Sequence, residues 1–466
     1  MQIDMSRTRS LAHLRASFFG AVVTLTDLLP PRLRYGYVHR MTRAVFSSRL
    51  PVVRRTASRM VAAGEVRRAQ TLDITCAILA DHLDVGGIGA VVEMLAVNFE
   101  AEGVRPVVIC HGDGVRAQKL RRLGVDVRSV SDEASAHSAL ASCGADVIQL
   151  HSAPEYLEQA GMATSLPLVA VMHNTEIHYT AHKWSSYRAL LERSTAGVAV
   201  SDTVREYHAR HVSLESAQRI RVVPNGAPSL LSATAQERQA ARSAVSEAVG
   251  ADIGNAVLFI CLARYDSQKN IAGTTVTFAR AASRRDDIHL IFAGDPSDWA
   301  ELRRAQALRD LTAGPRRIHC LGNSDAQTLL TAGDAFLLNS FFEGWPVAAT
   351  EALAAGLPLV MSDVGGAKEL VAHDPEFSVM IPNPAGDAAG ISDEAVRLAR
   401  RRTREQPGVA ALEAAVISIA AKLGGAWHPR SSNATAGVSP MLHAHAKVLR
   451  DVLQTRSSES SSPSSP

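Results

Sequence analysis

Aromatic side chains are scarce in this chain, at 5 % of its 466 residues. Lysine is scarcer still, with 6 lysines against 43 arginines. With few aromatics, alanine, valine and leucine must fill the interior, which suits parallel strands covered by helices on both faces. No apolar run is long enough to span a bilayer as a helix. The best candidate, Phe18 to Leu29, is short and carries Asp27. Arg7, Arg9 and Arg15 precede it as in a signal peptide, but no small-residue cleavage site follows, so a cytoplasmic chain is expected. The five cysteines, Cys76, Cys110, Cys143, Cys261 and Cys320, form no close pair and no zinc-ligand spacing. They read as reduced, mostly buried thiols.

What is present is apolar and long enough for two domains: 46 % of residues are hydrophobic and 20 % charged. The net charge of +3 hides an asymmetry. Residues 1–70 hold 13 arginines, no lysine and 3 acids, a net +10, which leaves −7 for the rest. Interleaved with Leu, Phe, Tyr and Val, this arm reads in two ways. It is either a surface for an anionic membrane or an extra helical layer packed on the first domain. Nucleic acid is not expected as a partner, since the remaining chain is acidic.

From residue 71 short apolar runs alternate with alanine-rich, helix-length segments, the rhythm of a parallel α/β sheet. Strands are predicted at 74–80, 107–110, 147–150, 168–172, 197–200 and 219–223. After the Pro224-Asn225-Gly226-Ala227-Pro228 turn and a helix at 236–249, the rhythm restarts. The second series falls at 257–262, 289–293, 317–321, 335–338, 359–361 and 378–381. The predicted division is a basic arm (1–70), a Rossmann-like domain (71–227), a linker helix (228–255) and a second Rossmann-like domain (256–427). A C-terminal segment with a helix at 441–455 (428–455) and a disordered Ser/Pro tail (456–466) complete it.

The chemistry gathers after strands. Glu343 follows the predicted strand 335–338, and Glu351 lies on the next helix, about 12 Å further along its axis. Two carboxylates so spaced suit opposite ends of one elongated ligand. Arg264 and Lys269 follow the strand 257–262, and two cations in one loop suit a diphosphate, although such loops are commonly only solvated. Gly86-Gly87-Ile88-Gly89 opens a helix after the first strand, where free amides favour anions. The dinucleotide fingerprint fails there because Val92 replaces its third glycine. Gly365-Gly366 repeats the arrangement after a later strand, or is a plain turn. His173 ends the strand 168–172 and can donate to a sugar hydroxyl or an oxyanion, though taken alone it is more often structural. His178 and His182 lack a third metal ligand.

Together these residues resemble the retaining glycosyltransferases of the GT-B fold, in the large family-4 group, over about residues 71 to 425. The most specific stretch runs from Glu343-Gly344 through Glu351-Ala352 to Gly356, Pro358, Asp363 and Gly365-Gly366. The resemblance implies two Rossmann-like domains facing a cleft and a UDP- or GDP-sugar donor bound mainly by the second. It places the donor diphosphate on Arg264 and Lys269, the ribose on Glu351, and the sugar near Glu343, Gly344, Trp345, Gly365 and Gly366. His173 and the Gly86, Gly87 and Gly89 loop fall on the acceptor side, facing a glycan or lipid-linked acceptor. Glu343, His173, Arg264 and Lys269 are the catalytic candidates, with no metal and no cofactor expected. Trp345-Pro346 departs from the common pattern and bears on the sugar pocket. A non-catalytic sugar-nucleotide-binding protein and a sugar-nucleotide epimerase are the alternatives. A phosphorylase would need a pyridoxal phosphate lysine, for which the sequence carries no signature.

Overall fold

The computed structural model describes residues 5–30, 33, 38–56, 71–84, 86–227, 233–312, 314–424 and 437–460. The expected boundary stretches at 57–70, 228–232 and 425–436, and residues 461–466 of the expected tail, lie outside them. The chain divides into two compact units. The first comprises Ala63–Pro228, Gly344–Val347 and Thr435–Pro466; the second comprises Met1–Ala62, Ser229–Glu343 and Ala348–Ala434.

The first unit holds a seven-stranded sheet: β1 (Ile74–Ala80), β2 (Val104–His111), β3 (Asp126–Val130), β4 (Val147–His151), β5 (Leu168–Met172), β6 (Ala196–Ala199) and β7 (Ile220–Val222). Its order is β3-β2-β1-β4-β5-β6-β7, and every pairing is parallel. The central strands are buried and mostly apolar because helices cover both their faces, with Gln149 and His151 of β4 as buried polar exceptions. β3 escaped the sequence reading. It is an edge strand in which only Val130 is buried, so Asp126-Val127-Arg128-Ser129 carries no apolar run to read.

The second unit repeats the pattern with β8 (Val257–Leu262), β9 (Ile288–Ala293), β10 (Ile318–Leu321), β11 (Ala335–Leu338), β12 (Leu359–Ser362) and β13 (Val379–Ile381). The order is β10-β9-β8-β11-β12-β13, again all parallel. Each sheet reverses its strand order once, between β1 and β4 and between β8 and β11. In open parallel sheets the crevice for ligands opens at the carboxyl ends of strands flanking such a reversal. All five cysteines are free and buried.

The two chain ends differ from expectation. The N-terminal arm does not layer on the first unit. Its helices Met5–Thr26 and His39–Phe46 pack on helix Trp299–Asp310 of the second. The reason is electrostatic as well as apolar. Asp27 is wholly buried and accepts from Arg400 Nη1 at 2.5 Å, while Arg400 Nη2 donates to Glu301 at 2.9 Å. Burial alone would favour proton loss from Arg400; the charges of Glu301 and Asp27 outweigh it and hold the guanidinium charged. An extended stretch completes the attachment, with Pro51 O accepting from Gly322 N at 2.8 Å and Val53 O from Asp325 N at 2.9 Å.

At the other end, helix Val438–Ser460 runs past Arg456, where the tail was expected to begin. It belongs to the first unit, and its Met441, Leu442, Leu449 and Val452 join the core under β1 and β2. The Pro224-Asn225-Gly226 turn receives it. A Cβ on Gly226 would stand 2.4 Å from Gly437 O, so only glycine permits this approach. Among the described residues, no helix is long and apolar enough to cross a membrane.

Candidate active site

The strongest constellation sits at the β8/β11 reversal of the second unit. Two loops meet there, Ala263–Asn270 after β8 and Asn339–Glu343 after β11. Main-chain and amide bonds stitch them together: Phe341 N donates to Gln268 O at 2.9 Å, and Gln268 Nε2 to Phe342 O at 2.8 Å. Across this seam Lys269 Nζ lies 2.6 Å from Glu343 Oε1, and Gln268 Nε2 donates to Glu343 Oε2 at 3.1 Å. Both side chains of the ion pair are nearly buried, at 14 % and 7 % exposure. So desolvated a pair is held by geometry as much as by attraction, because burial of either charge alone is costly.

The supports of these loops explain their sequence. Tyr265 is fully buried, and its hydroxyl shares one proton between Leu321 O at 2.7 Å and Phe292 O at 2.9 Å. Asn270 adopts a left-handed backbone (φ 49°) and forms a reciprocal amide pair with Gln406, at 2.9 and 3.0 Å. Asn383 Nδ2 bonds Phe341 O at 2.8 Å and Asp363 O at 2.9 Å, tying the loop after β11 to the loop after β12. Gly294 lies outside the expected site; a Cβ there would stand 2.2 Å from Ala263 O, so it serves the packing of the Arg264 loop.

The other expected residues fall as follows. Arg264 emerges from the same loop but is exposed, with Nη2 3.3 Å from Asp266 Oδ2, so it does not share the Lys269–Glu343 pair. Glu351 lies half-buried on helix Val347–Ala354 of the second unit. Gly365, left-handed at φ 45°, and Gly366 follow β12 and are buried. Gly344 and Trp345, both buried, group with the first unit.

In the first unit the glycine segment Gly86–Gly89 follows β1 at the β1/β4 reversal, and the helix starts within it, at Gly87. His173 follows β5, beside β4. Its Nε2 lies 2.8 Å from His151 Nδ1, so the two rings share one proton. Gln149 Nε2 donates to His445 Nδ1 at 2.9 Å, which puts the proton of a neutral His445 on Nε2. Burial and the neighbouring His445 push His173 down to about 3, burial pushes His445 down to about 4, and His151 is also well below its ordinary value. At neutral pH the cluster is uncharged and offers hydrogen bonds rather than cations.

His151, His445, Gln149, Gln268, Gln406 and Asn383 were missed from the sequence. Gln268 stood within the loop that flagged Arg264 and Lys269. His445 had no local signal at all, since it lies 296 residues from Gln149. Among the described residues, no group of three or more His, Cys, Asp or Glu has the geometry to hold a metal ion.

The histidine cluster makes stability depend on acid. A histidine whose folded pKa is lowered contributes stability that is complete above its ordinary value near 6.5 and lost as pH falls towards the folded value. For His445 the window runs from 6.5 down to about 4. His445→Gln should therefore reduce the acid-induced loss at pH 4 by on the order of 3 kcal/mol. Denaturant unfolding of both proteins across this window is the check; parallel profiles would contradict the assignment.

Two α/β units of this topology, each with its candidate residues at a reversal of strand order, define the class as a GT-B fold. Comparison with known proteins then fixes the family. A model described as Glycosyl transferases group 1 matches residues 256–401, and one described as Glycosyltransferase Family 4 matches residues 85–228. Together they span more than half of the 466 residues, and the chain belongs to this glycosyltransferase group.

It is similar to the putative glycosyltransferase EpsF of Bacillus subtilis, 28 % identical over 38 % of this chain and 44 % of that protein. It is also similar to the GDP-mannose:cellobiosyl-diphosphopolyprenol alpha-mannosyltransferase of Xanthomonas oryzae pv. oryzae, 24 % identical over 61 % of this chain and 76 % of the relative. The match thus spans less than half of the Bacillus relative's length and about three quarters of the Xanthomonas one. Among solved structures, the Anabaena HepE protein in complex with UDP-glucose shares the fold, with a TM-score of 0.58 and 16 % identity, covering 81 % of this chain and 100 % of that one.

Proposed function

We propose that the chain transfers a hexosyl group from a UDP- or GDP-sugar to a hydroxyl of a glycan or lipid-linked acceptor, with retention of anomeric configuration, at the cytoplasmic face of a membrane. The observation that carries this reading is the buried Lys269–Glu343 pair at the β8/β11 reversal, within the segment matched by the group 1 family model. Breaking the sugar–phosphate bond leaves a nucleoside diphosphate of higher negative charge beside an oxocarbenium-like sugar. Lys269 stabilises the leaving diphosphate as its charge grows, and the exposed Arg264 is free to swing onto it from Asp266. Glu343 orients Lys269 and faces the electron-poor sugar, Glu351 takes the ribose hydroxyls, and the amides at Gly365-Gly366 take phosphate or sugar oxygens. His173, neutral and proton-sharing, hydrogen-bonds the acceptor. The departing phosphate takes the acceptor proton, so no metal is required in this scheme.

The relative from Xanthomonas, named for GDP-mannose and a lipid-linked acceptor, supports the donor and acceptor classes. The test is thermal shift with UDP, GDP, ADP and their sugar conjugates, followed by transfer assays with the responding donor. A single base is expected to raise the unfolding temperature; no response to any of them would end the proposal. Arg264→Ala is expected to weaken donor binding about tenfold, the worth of one charged hydrogen bond. Calorimetric titration giving an unchanged affinity would remove Arg264 from the diphosphate.

A further inference from the structure

We infer that the outward face of the first helix is a docking surface for an anionic lipid bilayer, which deepens the membrane-face reading above and rests on it only for the acceptor's location. Helix Met5–Thr26 is apolar on two sides. Ala12, Phe19 and Val23 are buried on the side that packs against helix Trp299–Asp310. Leu11, Leu14, Phe18 and Leu25, with Leu28 just beyond the helix, recur every three or four residues or a multiple on the other side. These five are 53–68 % exposed. A surface helix ordinarily keeps its solvent side polar, and contiguous exposed apolar stripes mark interaction sites.

Charge selects the occupant. Arg15, Arg40, Arg43, Arg49, Arg54 and Arg55 are all exposed. Arg15 lies 3.8 Å from Asp310 and Arg43 3.4 Å from Asp295, with more than half of each arginine in solvent, and Arg55 Nη2 donates to the neutral Gln327 Oε1 at 2.9 Å. The arm's described acid, Asp27, is fully buried and held by Arg400. Among the described residues, the solvent-facing charge of the arm is therefore entirely positive. A leucine-rich stripe on an arm whose own described solvent-facing charge is cationic fits the boundary of an anionic bilayer. A second copy would bring the same cations against themselves, so self-association through this face is disfavoured.

The full-length protein is expected to float with vesicles of phosphatidylcholine containing about one third phosphatidylglycerol, and not with phosphatidylcholine alone. The double variant Leu14→Glu, Leu25→Glu should lower the partition coefficient about a hundredfold, because two leucines no longer enter the apolar boundary. Leu214→Glu, on a leucine of the first unit that is still more exposed, should leave it unchanged. Both variants replace solvent-facing side chains and keep the unfolding temperature of the parent. Absence of flotation by the parent, or equal flotation by the double variant, overturns the lipid surface. So does a sedimenting dimer that the double variant abolishes when no vesicle is bound. Thermal shift by nucleoside diphosphates on the same preparations keeps the two readings apart. Nucleotide binding without vesicle binding sinks the lipid surface alone, whereas vesicle binding without nucleotide binding sinks the transferase reading and sustains this one.

Discussion

A Lys269→Ala protein is expected to lose transfer activity by about a thousandfold and to unfold with about 3 kcal/mol less stability. The two losses have different origins. Lys269 and Glu343 lie 2.6 Å apart with little solvent around either. Removing one partner of a buried pair leaves the other charge desolvated and uncompensated, which typically costs about 3–5 kcal/mol. The activity loss follows from the missing cation at the leaving diphosphate, where one preorganised donor is worth about a hundred- to thousandfold in rate. A double variant separates them. Lys269→Met with Glu343→Gln replaces both charges by groups of similar shape, so most of the stability should return while activity stays lost. Urea unfolding and a donor-turnover assay on the three proteins read this out. A double variant as active as the parent would remove both residues from catalysis, and a single variant of parental stability would deny the buried pair.

Asp27→Ala should destabilise the second unit by about 3–5 kcal/mol, comparable with the loss at the Lys269–Glu343 pair. Asp27 is wholly buried, accepts from Arg400 at 2.5 Å, and offers its main-chain oxygen to Arg397 at 3.0 Å. Without the carboxylate, Arg400 keeps the Glu301 pair and the nearby charge of Asp298 but loses its other bonded partner, and a buried cation is left with less charge compensation. The arm should then loosen from helix Trp299–Asp310 and become open to proteolysis near Phe46. Unchanged unfolding and an unchanged cleavage pattern would show that the arm is held by its apolar face alone.

The two ends of the chain show where reading a sequence stops. The apolar run at Phe18–Leu29 and its aspartate were visible, but the burial and the destination of Asp27 were not. Its partner Arg400 lies 373 residues away, and forty-three arginines compete for it on paper. The same holds for His445, whose helix was expected but whose ring joins Gln149 only because the C-terminal helix returns to the first unit. Long-range partners are chosen by shape and burial after the chain has folded, and neither leaves a periodic trace.

Within the candidate site the division is finer. Lys269 and Glu343 were each legible from their place after a strand, because parallel strands expose ligands only at their carboxyl ends. Their direct pairing was not, since β8 and β11 become neighbours only by the reversal of strand order. Arg264 was expected beside Lys269 and is instead turned to Asp266, two residues along the same loop.

Sequence alone thus determined the alternation of apolar strands and alanine-rich helices, the restart near residue 257 and the loops that carry charge. Those features are local, set by burial on two faces and by turn chemistry over a few residues. Tertiary structure alone decided that Lys269 meets Glu343, that His445 reaches Gln149 and that the basic arm packs on the second unit. Each of these is a contact between distant segments, and its free energy exists only once both groups have left water together.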